Sequence, residues 1–350
     1  MFLKNAWYCA GWDYEVTTGK ESLVTRKIAN ELLVLYRTTT GKLVAMADRC
    51  PHRQAALSLG RKEGDSLRCM YHGMKFSSDG VCTEVPGQST IPERACVQTY
   101  PVVEKDNWIW VWMGEAAKAD PNLICFSVGP GNPDWSIKTS KMRVNTNYRL
   151  EVANLADLSH LAWVHEQTVG GSPKYSSLKA QYTITPRGLN SKFWVRSIPA
   201  TAGFAHMFPP ETLFDIGFDI QHSVPCNWIM HYTVHFAGTN TEGDSNGPLV
   251  LDTWTCQTVT PRDEDSVDYY YSMGPRKEQD FPGLSEMMRD TLDRAFKEDA
   301  AVLEAQWARV KQRPDAPVIN LALDAGPGKM LWVLDKLLKE EALESRAVAA

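Results

Sequence analysis

Four side chains that can bind metal lie in two short segments with matching residue types. Cys50 and His52 are separated by one residue, Cys69 and His72 by two, and sixteen residues lie between the two segments. Two thiolates and two imidazoles can hold a structural zinc ion, or a [2Fe-2S] cluster in which two histidines replace two cysteines on one iron. Zinc modules usually pair cysteine with cysteine and histidine with histidine, so one residue of each kind per loop favours the cluster.

A second group of ligand-type residues lies further along the chain, at Asn154, Asp157, His160 and His165. If the segment is helical, residues three apart share one face. Asp157 and His160 form one such pair, and Asn154 and Asp157 form another. His160 and His165 are five apart, which leaves them about 140° out of alignment on a helix. If both bind one metal, the helix must bulge or end between them. The alternative is a helix with two partly buried, hydrogen-bonded histidines.

A carboxylate from elsewhere would complete a triad of two histidines and one acid, which leaves coordination positions open on ferrous iron. A late predicted helix places Asp299 on an apolar stripe with Leu292, Phe296, Leu303, Gln306 and Val310. Because an unpaired buried carboxylate is costly, Asp299 is expected to have a partner or a metal. Glu298 points about 100° away around the helix and is the alternative ligand.

The elements that must position these residues divide the chain into two parts. Short predicted strands punctuated by turns occupy the first part, at residues 32–37, 43–46, 74–76 and 108–112. A linker rich in Gly, Pro, Asp and Asn follows at about 114–135. Beyond it we predict a helix near 150–166, strands at 181–184, 189–197, 228–236, 249–260 and 266–273, and helices near 284–310 and 329–344. The sequence therefore predicts an all-β domain, residues 1–120, and an α+β domain, residues 121–350.

Composition excludes several classes of protein. The chain has 350 residues, 43% of them apolar and 23% charged, which is typical of a globular protein of about two domains. A net charge of -5 without long runs of either sign argues against nucleic-acid binding. No apolar run approaches the roughly 18 residues of a membrane span, and no signal peptide is evident, so we expect no membrane association and a cytoplasmic location. Eight cysteines are too few for a disulfide scaffold in a chain of this length.

The first motif resembles that of Rieske iron–sulfur proteins. Ala55 and Tyr71 stand where respiratory Rieske proteins carry additional cysteines, so the resemblance is to ring-hydroxylating and demethylating oxygenases. The pattern Asn-x2-Asp-x2-His-x4-His, with Lys297-Glu298-Asp299 in the late helix, resembles the mononuclear-iron motif of their catalytic domains. Within that family, the chain resembles the branch that contains toluenesulfonate methyl-monooxygenase, vanillate O-demethylase and dicamba O-demethylase. The further segments that carry this resemblance are residues 5–8, 86–88, 100–104, 147–150 and 160–165.

The resemblance implies a set of cofactors and ligands. A Rieske [2Fe-2S] cluster would be bound by Cys50, His52, Cys69 and His72, and a mononuclear Fe(II) by His160, His165 and Asp299. It also implies that Asp157 bridges electron transfer to His160 from His72 of the partner subunit in a head-to-tail homotrimer, and that Asn154 lies close to the iron. The implied fold is an all-β Rieske domain followed by a catalytic domain with a curved antiparallel sheet around a long helix, of the helix-grip type.

The implied function is that of a terminal oxygenase that uses dioxygen and electrons from a flavin- or ferredoxin-type NAD(P)H reductase. The expected reaction is monooxygenation of an aromatic carboxylate or sulfonate, by O-demethylation or methyl hydroxylation. A ring-dihydroxylating oxygenase is one alternative. A Rieske electron carrier is another, but it explains only the first motif. A zinc-stabilised binding protein explains neither the mixed loops nor Asp299.

Two surfaces are predicted around these centres. The substrate pocket is expected within an aromatic-rich region, at Phe193, Trp194, Phe204, Met207, Phe208, Phe214, Phe218, Trp228 and His231. His231, His206 or Arg196 could meet the anionic group of a substrate. Basic residues outnumber acidic ones near the first motif, which predicts a docking surface for an acidic reductase formed by Arg49, Arg53, Arg61, Lys62, Arg68 and Lys75.

Overall fold

The computed structural model describes residues 1–19, 22–238 and 247–349. These residues form two units. The N-terminal unit contains residues 2–124 and the short segment 261–263. The C-terminal unit contains Met1, residues 125–260 and the chain from 264 onwards. Among the helices that the structure describes, none is both long enough and apolar enough to cross a bilayer.

The N-terminal unit is built from ten short strands, which confirms the predicted all-β character. They are β1 (Trp7–Trp12), β2 (Val24–Ile28), β3 (Glu31–Arg37), β4 (Leu43–Ala47), β5 (Arg61–Glu63), β6 (Ser66–Arg68), β7 (Lys75–Phe76), β8 (Cys82–Glu84), β9 (Val102–Lys105) and β10 (Trp108–Trp112). They form three sheets, in the orders β1-β10-β9, β2-β3-β4 and β5-β6-β7-β8. The β4–β5 and β6–β7 connections carry the Cys-x-His and Cys-x2-His motifs, so both motifs adjoin the four-stranded sheet.

Local sequence chemistry explains the N-terminal hairpins. The β2–β3 turn places Ala29 and Asn30 at φ values of 49° and 74°, and the β9–β10 turn places Asp106 and Asn107 at 54° and 64°. Positive φ at both central residues is typical of the tight turns that match the twist of paired strands. Strand β10 is buried at every residue, because its aromatic and β-branched side chains suit a covered sheet.

The C-terminal unit contains one seven-stranded antiparallel sheet, which confirms the predicted α+β class. Its strands are β11 (Lys138–Val144), β12 (Gln181–Thr185), β13 (Gly188–Pro199), β14 (Leu213–Ser223), β15 (Asn227–Phe236), β16 (Leu249–Pro261) and β17 (Val267–Pro275). Their order is β11-β17-β16-β15-β14-β13-β12. The helices are α1 (Tyr148–Leu155), α2 (Leu284–Gln312) and α3 (Ala325–Ala349).

Helix α2 packs against β11 and β17, as expected for the predicted long helix. The ring of Phe296 lies 4.8 Å from that of Tyr269 and 4.6 Å from that of Tyr271. The predicted apolar stripe is right as far as Leu303, but Gln306 and Val310 are exposed. Every residue of α2 after Leu303 is at least partly exposed in the described structure, so the apolar stripe ends there.

Candidate metal centres

The loops at residues 50–55 and 69–74 share one backbone pattern. In each, the N–H of the first residue, a cysteine, donates to the carbonyl of the sixth, at 2.8 Å in both loops. The fifth residue donates its N–H back to the cysteine carbonyl and has positive φ, 58° at Gln54 and 76° at Gly73. At Gly73 a Cβ atom would lie 2.8 Å from the ring of Pro86, so this position also favours glycine sterically. The repeated pattern presents the two motifs in equivalent ways.

The four side chains of these loops are arranged in two layers. Cys50 and Cys69 are each only 2% exposed and belong to the core of the N-terminal unit, whereas His52 and His72 are exposed. The two imidazole rings lie 4.6 Å apart. Burial raises the pKa of the Cys50 thiol to about 11, so a thiolate there needs a cation to stabilise it. Buried thiols beneath surface imidazoles fit a centre with one iron on the cysteines and the other on the histidines.

A single zinc ion fits these loops poorly. Ligand atoms around tetrahedral zinc lie within about 4 Å of one another, given its bond lengths of about 2.0–2.3 Å. Among the residues that the structure describes, His160, His165 and Asp299 form the sole group of three or more potential ligands whose atoms lie within 4.8 Å of one another. The four loop residues are therefore spread over a wider space than one ion spans, which suits a two-iron cluster.

Several of the predicted basic docking residues are neutralised. Glu63 forms ion pairs with Arg61, Arg68 and Lys75, and these contacts, chiefly the hydrogen bond from Arg68, lower its pKa to about 2. Arg68 also pairs with Glu84. In the described part of the chain, Arg49 and Arg53 are exposed and form no ion pair. Lys62 is partly exposed and donates to the backbone carbonyls of Thr18 and Arg37. The exposed positive charge without an ion pair beside these loops is therefore that of Arg49 and Arg53.

In the C-terminal unit, the predicted helix over 150–166 is wrong beyond Leu155. Helix α1 ends there, and Asp157 has an extended backbone with φ -129° and ψ 103°. Its carboxylate accepts the N–H of Ser159 at 2.8 Å, which caps a short 3-10 segment, Leu158–Ala162. Aspartate commonly ends or begins helices in this way because its side chain competes for backbone N–H groups. Asn154, Asp157 and His160 therefore do not share one helical face.

This interruption brings His160 and His165 together, as one shared metal would require. Their rings lie 5.2 Å apart, within tight turns that continue past His165. Gly170 secures the turns: its N–H donates to the His165 carbonyl at 3.0 Å, and a Cβ on it would lie only 1.9 Å from the Leu161 carbonyl oxygen. The close approach of backbone to backbone explains the requirement for glycine.

Asp299 of α2 completes the group. One carboxylate oxygen lies 3.4 Å from His160 Nε2, and the other lies 3.2 Å from His165 Nε2. All three ligand atoms lie within 4.8 Å of one another. The amide of Asn154 donates to Asp299 Oδ1 at 3.1 Å, so this residue also lies at the centre. Two imidazole nitrogens and one carboxylate on one side of a cavity fit a ferrous ion with open positions.

Both imidazoles face Asp299 with Nε2 and form a hydrogen bond on the opposite side of the ring with Nδ1. His160 Nδ1 donates to the backbone carbonyl of Asp157, and His165 Nδ1 donates to Glu298 Oε2 at 2.8 Å. Both acceptors require the proton on Nδ1, so each Nε2 lone pair faces Asp299. Burial lowers the pKa of His160, which favours the neutral form that binds metal. Burial opposes protonation of His165 too, but hydrogen bonds and charges of Asp299 and Glu298 outweigh it and raise its pKa.

Glu298 supports the site from behind His165. It also accepts the hydroxyl proton of Thr168 at 2.7 Å. The helical phase of α2 turns Asp299 inward and leaves Glu298 partly exposed, with 31% of its side chain accessible. A carboxylate hydrogen-bonded to a ligating histidine fixes the ring orientation and increases its basicity. Sequence reasoning assigned no role to Thr168.

We predict that Glu298→Gln weakens ferrous iron binding at the mononuclear site by about 10- to 100-fold without abolishing it, because the amide supports His165 less well than the carboxylate. Iron affinity measured by anaerobic titration against a chelator tests this. Glu304→Gln, on the same helix and partly exposed, is the control. Complete loss of iron from Glu298→Gln would instead make Glu298 a direct ligand.

A cavity of about 90 Å³ adjoins the three ligand atoms. Of the predicted pocket residues, only Phe218 and Trp228 line it. The alternation of β15 decides this, because Trp228, Met230 and Tyr232 share the cavity face. Tyr175 and Gln257 also line the cavity and were not predicted. The sequence shows which residues of β15 share a face, because alternate residues of a strand point the same way. It does not show which of the two faces meets the iron ligands.

The other predicted pocket residues lie elsewhere. Phe204, Met207, Phe208 and Phe214 line a separate apolar cavity of about 350 Å³, and Phe193 lines a third. His231 hydrogen-bonds to Asp252 at 2.5 Å and stacks on Trp254, outside the iron-side cavity. Arg196 lies near Asp215 and over the ring of Trp194, and His206 is exposed. The prediction that one of these three meets the substrate anion at the iron is therefore not supported by their positions.

Comparison with known proteins identifies both units. The Rieske [2Fe-2S] domain matches residues 6–101, and the vanillate O-demethylase oxygenase C-terminal domain matches residues 144–340. The toluene-4-sulfonate monooxygenase system iron-sulfur subunit of Comamonas testosteroni is 35% identical over 97% of this chain and 98% of its own. The vanillate O-demethylase oxygenase subunit of a Pseudomonas species is 29% identical over 100% of this chain and 99% of its own.

A solved structure agrees with these matches. The crystal structure of dicamba monooxygenase bound to dicamba is similar with a TM-score of 0.85 and 28% identity, covering 98% of this chain and 99% of that one. Another structure of that enzyme contains non-heme iron. Fold and site thus define the oxygenase component of a Rieske non-heme iron monooxygenase, with a [2Fe-2S] cluster and mononuclear iron as cofactors. Within this class, the chain belongs to the family of the vanillate O-demethylase oxygenase subunits.

Proposed function

We propose that this oxygenase component monooxygenates an aromatic carboxylate or sulfonate, by hydroxylating a methyl group or removing an O-methyl group. The relatives are named for toluene-4-sulfonate, vanillate and dicamba, all aromatic compounds. The observation that carries the proposal is the triad of His160, His165 and Asp299 around one point. An electron carrier does not need this triad, and a ring-dihydroxylating activity is not named for these relatives.

The proposed ligands are those of the two motifs. Cys50, His52, Cys69 and His72 hold the cluster, and His160, His165 and Asp299 hold the iron. When bound, the cluster supplies single electrons and ferrous iron supplies open positions for reductive activation of dioxygen.

The protein's own part is to orient its ligands and the substrate. The hydrogen bonds to Asp157 and Glu298 fix the two imidazoles, while Asn154 holds one oxygen of Asp299. The cavity beside them is lined mainly by apolar and aromatic side chains, which exclude water from the reacting group. At about 90 Å³ it is small beside the roughly 300–1,000 Å³ of pockets that take drug-sized ligands. This size favours a substrate with a single ring.

We propose that electrons reach Asp157 from a second copy of the chain in a head-to-tail homotrimer. The exposed ring of His72 and the partly exposed carboxylate of Asp157 are both accessible for such a contact. Exposed aromatic side chains in the same two segments support it. Tyr71, whose ring lies 4.0 Å from that of His72, is 60% exposed, and Trp163, six residues after Asp157, is 70% exposed. Exposed aromatic residues beside functional groups are typical of protein interfaces. The carbonyl of Asp157 already accepts the Nδ1 proton of His160, which links its backbone to the iron ligand.

The electron donor is proposed to be a flavin- or ferredoxin-type NAD(P)H reductase. Arg49 and Arg53 offer free positive charge next to the cluster loops. An acidic reductase surface would be steered toward this region, and its association would weaken at high salt.

The proposed reaction is tested with metal-replete protein, a Rieske-oxygenase reductase and NADH. A panel of methyl- and methoxy-substituted benzoates and benzenesulfonates is screened for oxygen uptake and products. We expect uptake to be stimulated by one class, yielding a hydroxymethyl product, or formaldehyde from a methoxyl group. Cluster reduction without stimulation of uptake by any member of the panel would contradict the proposed class of substrate. A ring cis-diol as the main product would replace monooxygenation with dihydroxylation.

A further inference from the structure

The iron-side cavity contains no cationic side chain among its described lining residues, and Asp299 is its one carboxylate. A substrate anion would therefore have to be recognised there by neutral hydrogen-bond donors. Gln257 accepts the hydroxyl proton of Tyr269 and donates one amide N–H to Thr255 at 3.4 Å. Other lining residues add neutral donors that have no hydrogen-bond partner in the described part of the chain.

Trp228 supplies one such donor. The residue is 4% exposed and lines the cavity, and its indole Nε1 is buried without a hydrogen-bond partner. Two other buried indole nitrogens of the described residues also lack partners, at Trp108 and Trp110, but both lie in the N-terminal unit. An unsatisfied buried N–H costs about 1–3 kcal/mol. Trp228 lines the iron-side cavity, and a ligand there that reached this N–H would satisfy it.

Two tyrosines supply further donors. Tyr175 and Tyr232 flank Phe218, with ring distances of 6.4 Å and 5.3 Å, and both line the cavity. In the described part of the chain neither hydroxyl has a hydrogen-bond partner. The two groups lie close enough that the charge of one would raise the pKa of the other. Burial raises both pKa values, so both hydroxyls stay protonated and able to donate at physiological pH.

We propose that Trp228, Tyr175 and Tyr232 bind the oxoanion of the aromatic substrate, a sulfonate or a carboxylate, through neutral hydrogen bonds. This inference rests on the proposed function and specifies how its substrate is recognised. A single neutral oxygen accepts at most two hydrogen bonds through its lone pairs, whereas a carboxylate has about four acceptor sites and a sulfonate has three oxygens. Three donors therefore match an oxoanion better than a ketone or an ether. Hydrogen bonds to an ion are also stronger than those to a neutral group.

The test measures binding to iron-loaded protein by anaerobic calorimetry. The probes are 4-methylbenzenesulfonate, 4-methylbenzoate and the neutral ketone 4-methylacetophenone. Tyr175→Phe, Tyr232→Phe and Trp228→Phe each remove one donor but keep an aromatic ring. Tyr182→Phe is the matched control, because Tyr182 is a partly exposed tyrosine of the same unit that lines a different cavity.

We expect the wild-type protein to bind at least one anion more tightly than the ketone. Each donor variant should weaken binding of that anion by about 10-fold or more, leave ketone binding nearly unchanged, and keep its iron content. Comparison of the affinities for 4-methylbenzenesulfonate and 4-methylbenzoate shows which oxoanion the three donors bind better. Tyr182→Phe should change none of these values.

Equal loss of affinity for the anions and the ketone, or no loss in any of the three variants, would overturn the inference. So would wild-type protein that holds both metal centres and binds the ketone as tightly as the anions. In that case the proposed monooxygenase function would still stand. Protein unable to retain mononuclear iron would instead refute the proposed function, and anion binding in the cavity could still be measured separately.

Discussion

Asp299→Ala is expected to abolish substrate-dependent oxygen uptake while leaving the iron–sulfur cluster intact. Asp299 is the only carboxylate whose two oxygens approach both His160 and His165 in the described chain. Without it the two imidazoles cannot hold a ferrous ion in competition with water and added chelator. Total iron should fall from about three to about two per chain, the two that belong to the cluster.

The control for this variant is Asp290→Ala, at an exposed position of the same helix. It should keep about three irons per chain and normal turnover. The visible spectrum of both proteins should bleach on addition of dithionite, because the cluster ligands lie in the other unit. If Asp299→Ala kept its third iron and its activity, the assignment of the triad would be wrong.

Asp157→Asn is expected to separate electron delivery from metal binding. Asparagine keeps an oxygen that can accept the N–H of Ser159, and the backbone carbonyl still accepts the His160 proton, so the turn should be preserved. The variant loses the carboxylate proposed to join His72 of the partner subunit to His160. We expect about three irons per chain, as in the wild type, and reductase-coupled turnover lowered by about 10- to 100-fold.

Rapid mixing of pre-reduced protein with substrate and oxygen measures this step directly. Reoxidation of the cluster should slow in Asp157→Asn in parallel with product formation. Asp290→Asn, which changes the same charge at an exposed site, should leave the rate unaltered. Wild-type reoxidation and turnover in Asp157→Asn would refute the bridging role.

The sequence allowed the two units to be predicted from the change of predicted elements across the linker at about 114–135. It allowed the cysteine–histidine pairs to be predicted from spacing within short segments. Cys50 and His52 share one turn, and so do Cys69 and His72. The choice of Asp299 over Glu298 as the inward residue followed from helical phase. It is supported by their exposed side-chain fractions of 7% and 31%.

Features that depend on capping and register were harder to predict. The end of α1 at Leu155 depends on the Asp157 carboxylate capturing a backbone N–H, which competes with helix propensity over the whole segment. Which aromatic residues meet the iron-side cavity depends on the β14–β15 register, where Phe218 pairs with Tyr232. A shift of the register by one residue would turn the opposite face of β15 to the cavity and place His231 there.

One chain is expected to hold both a Rieske cluster and a mononuclear iron. The decisive measurement is of iron and acid-labile sulfide in the same anaerobically reconstituted sample. We predict about three irons and two sulfides per chain, with one iron removed selectively by a ferrous chelator. Two irons and two sulfides that persist after ferrous reconstitution would contradict the claim and leave an electron carrier. Stoichiometric zinc without sulfide would contradict both centres.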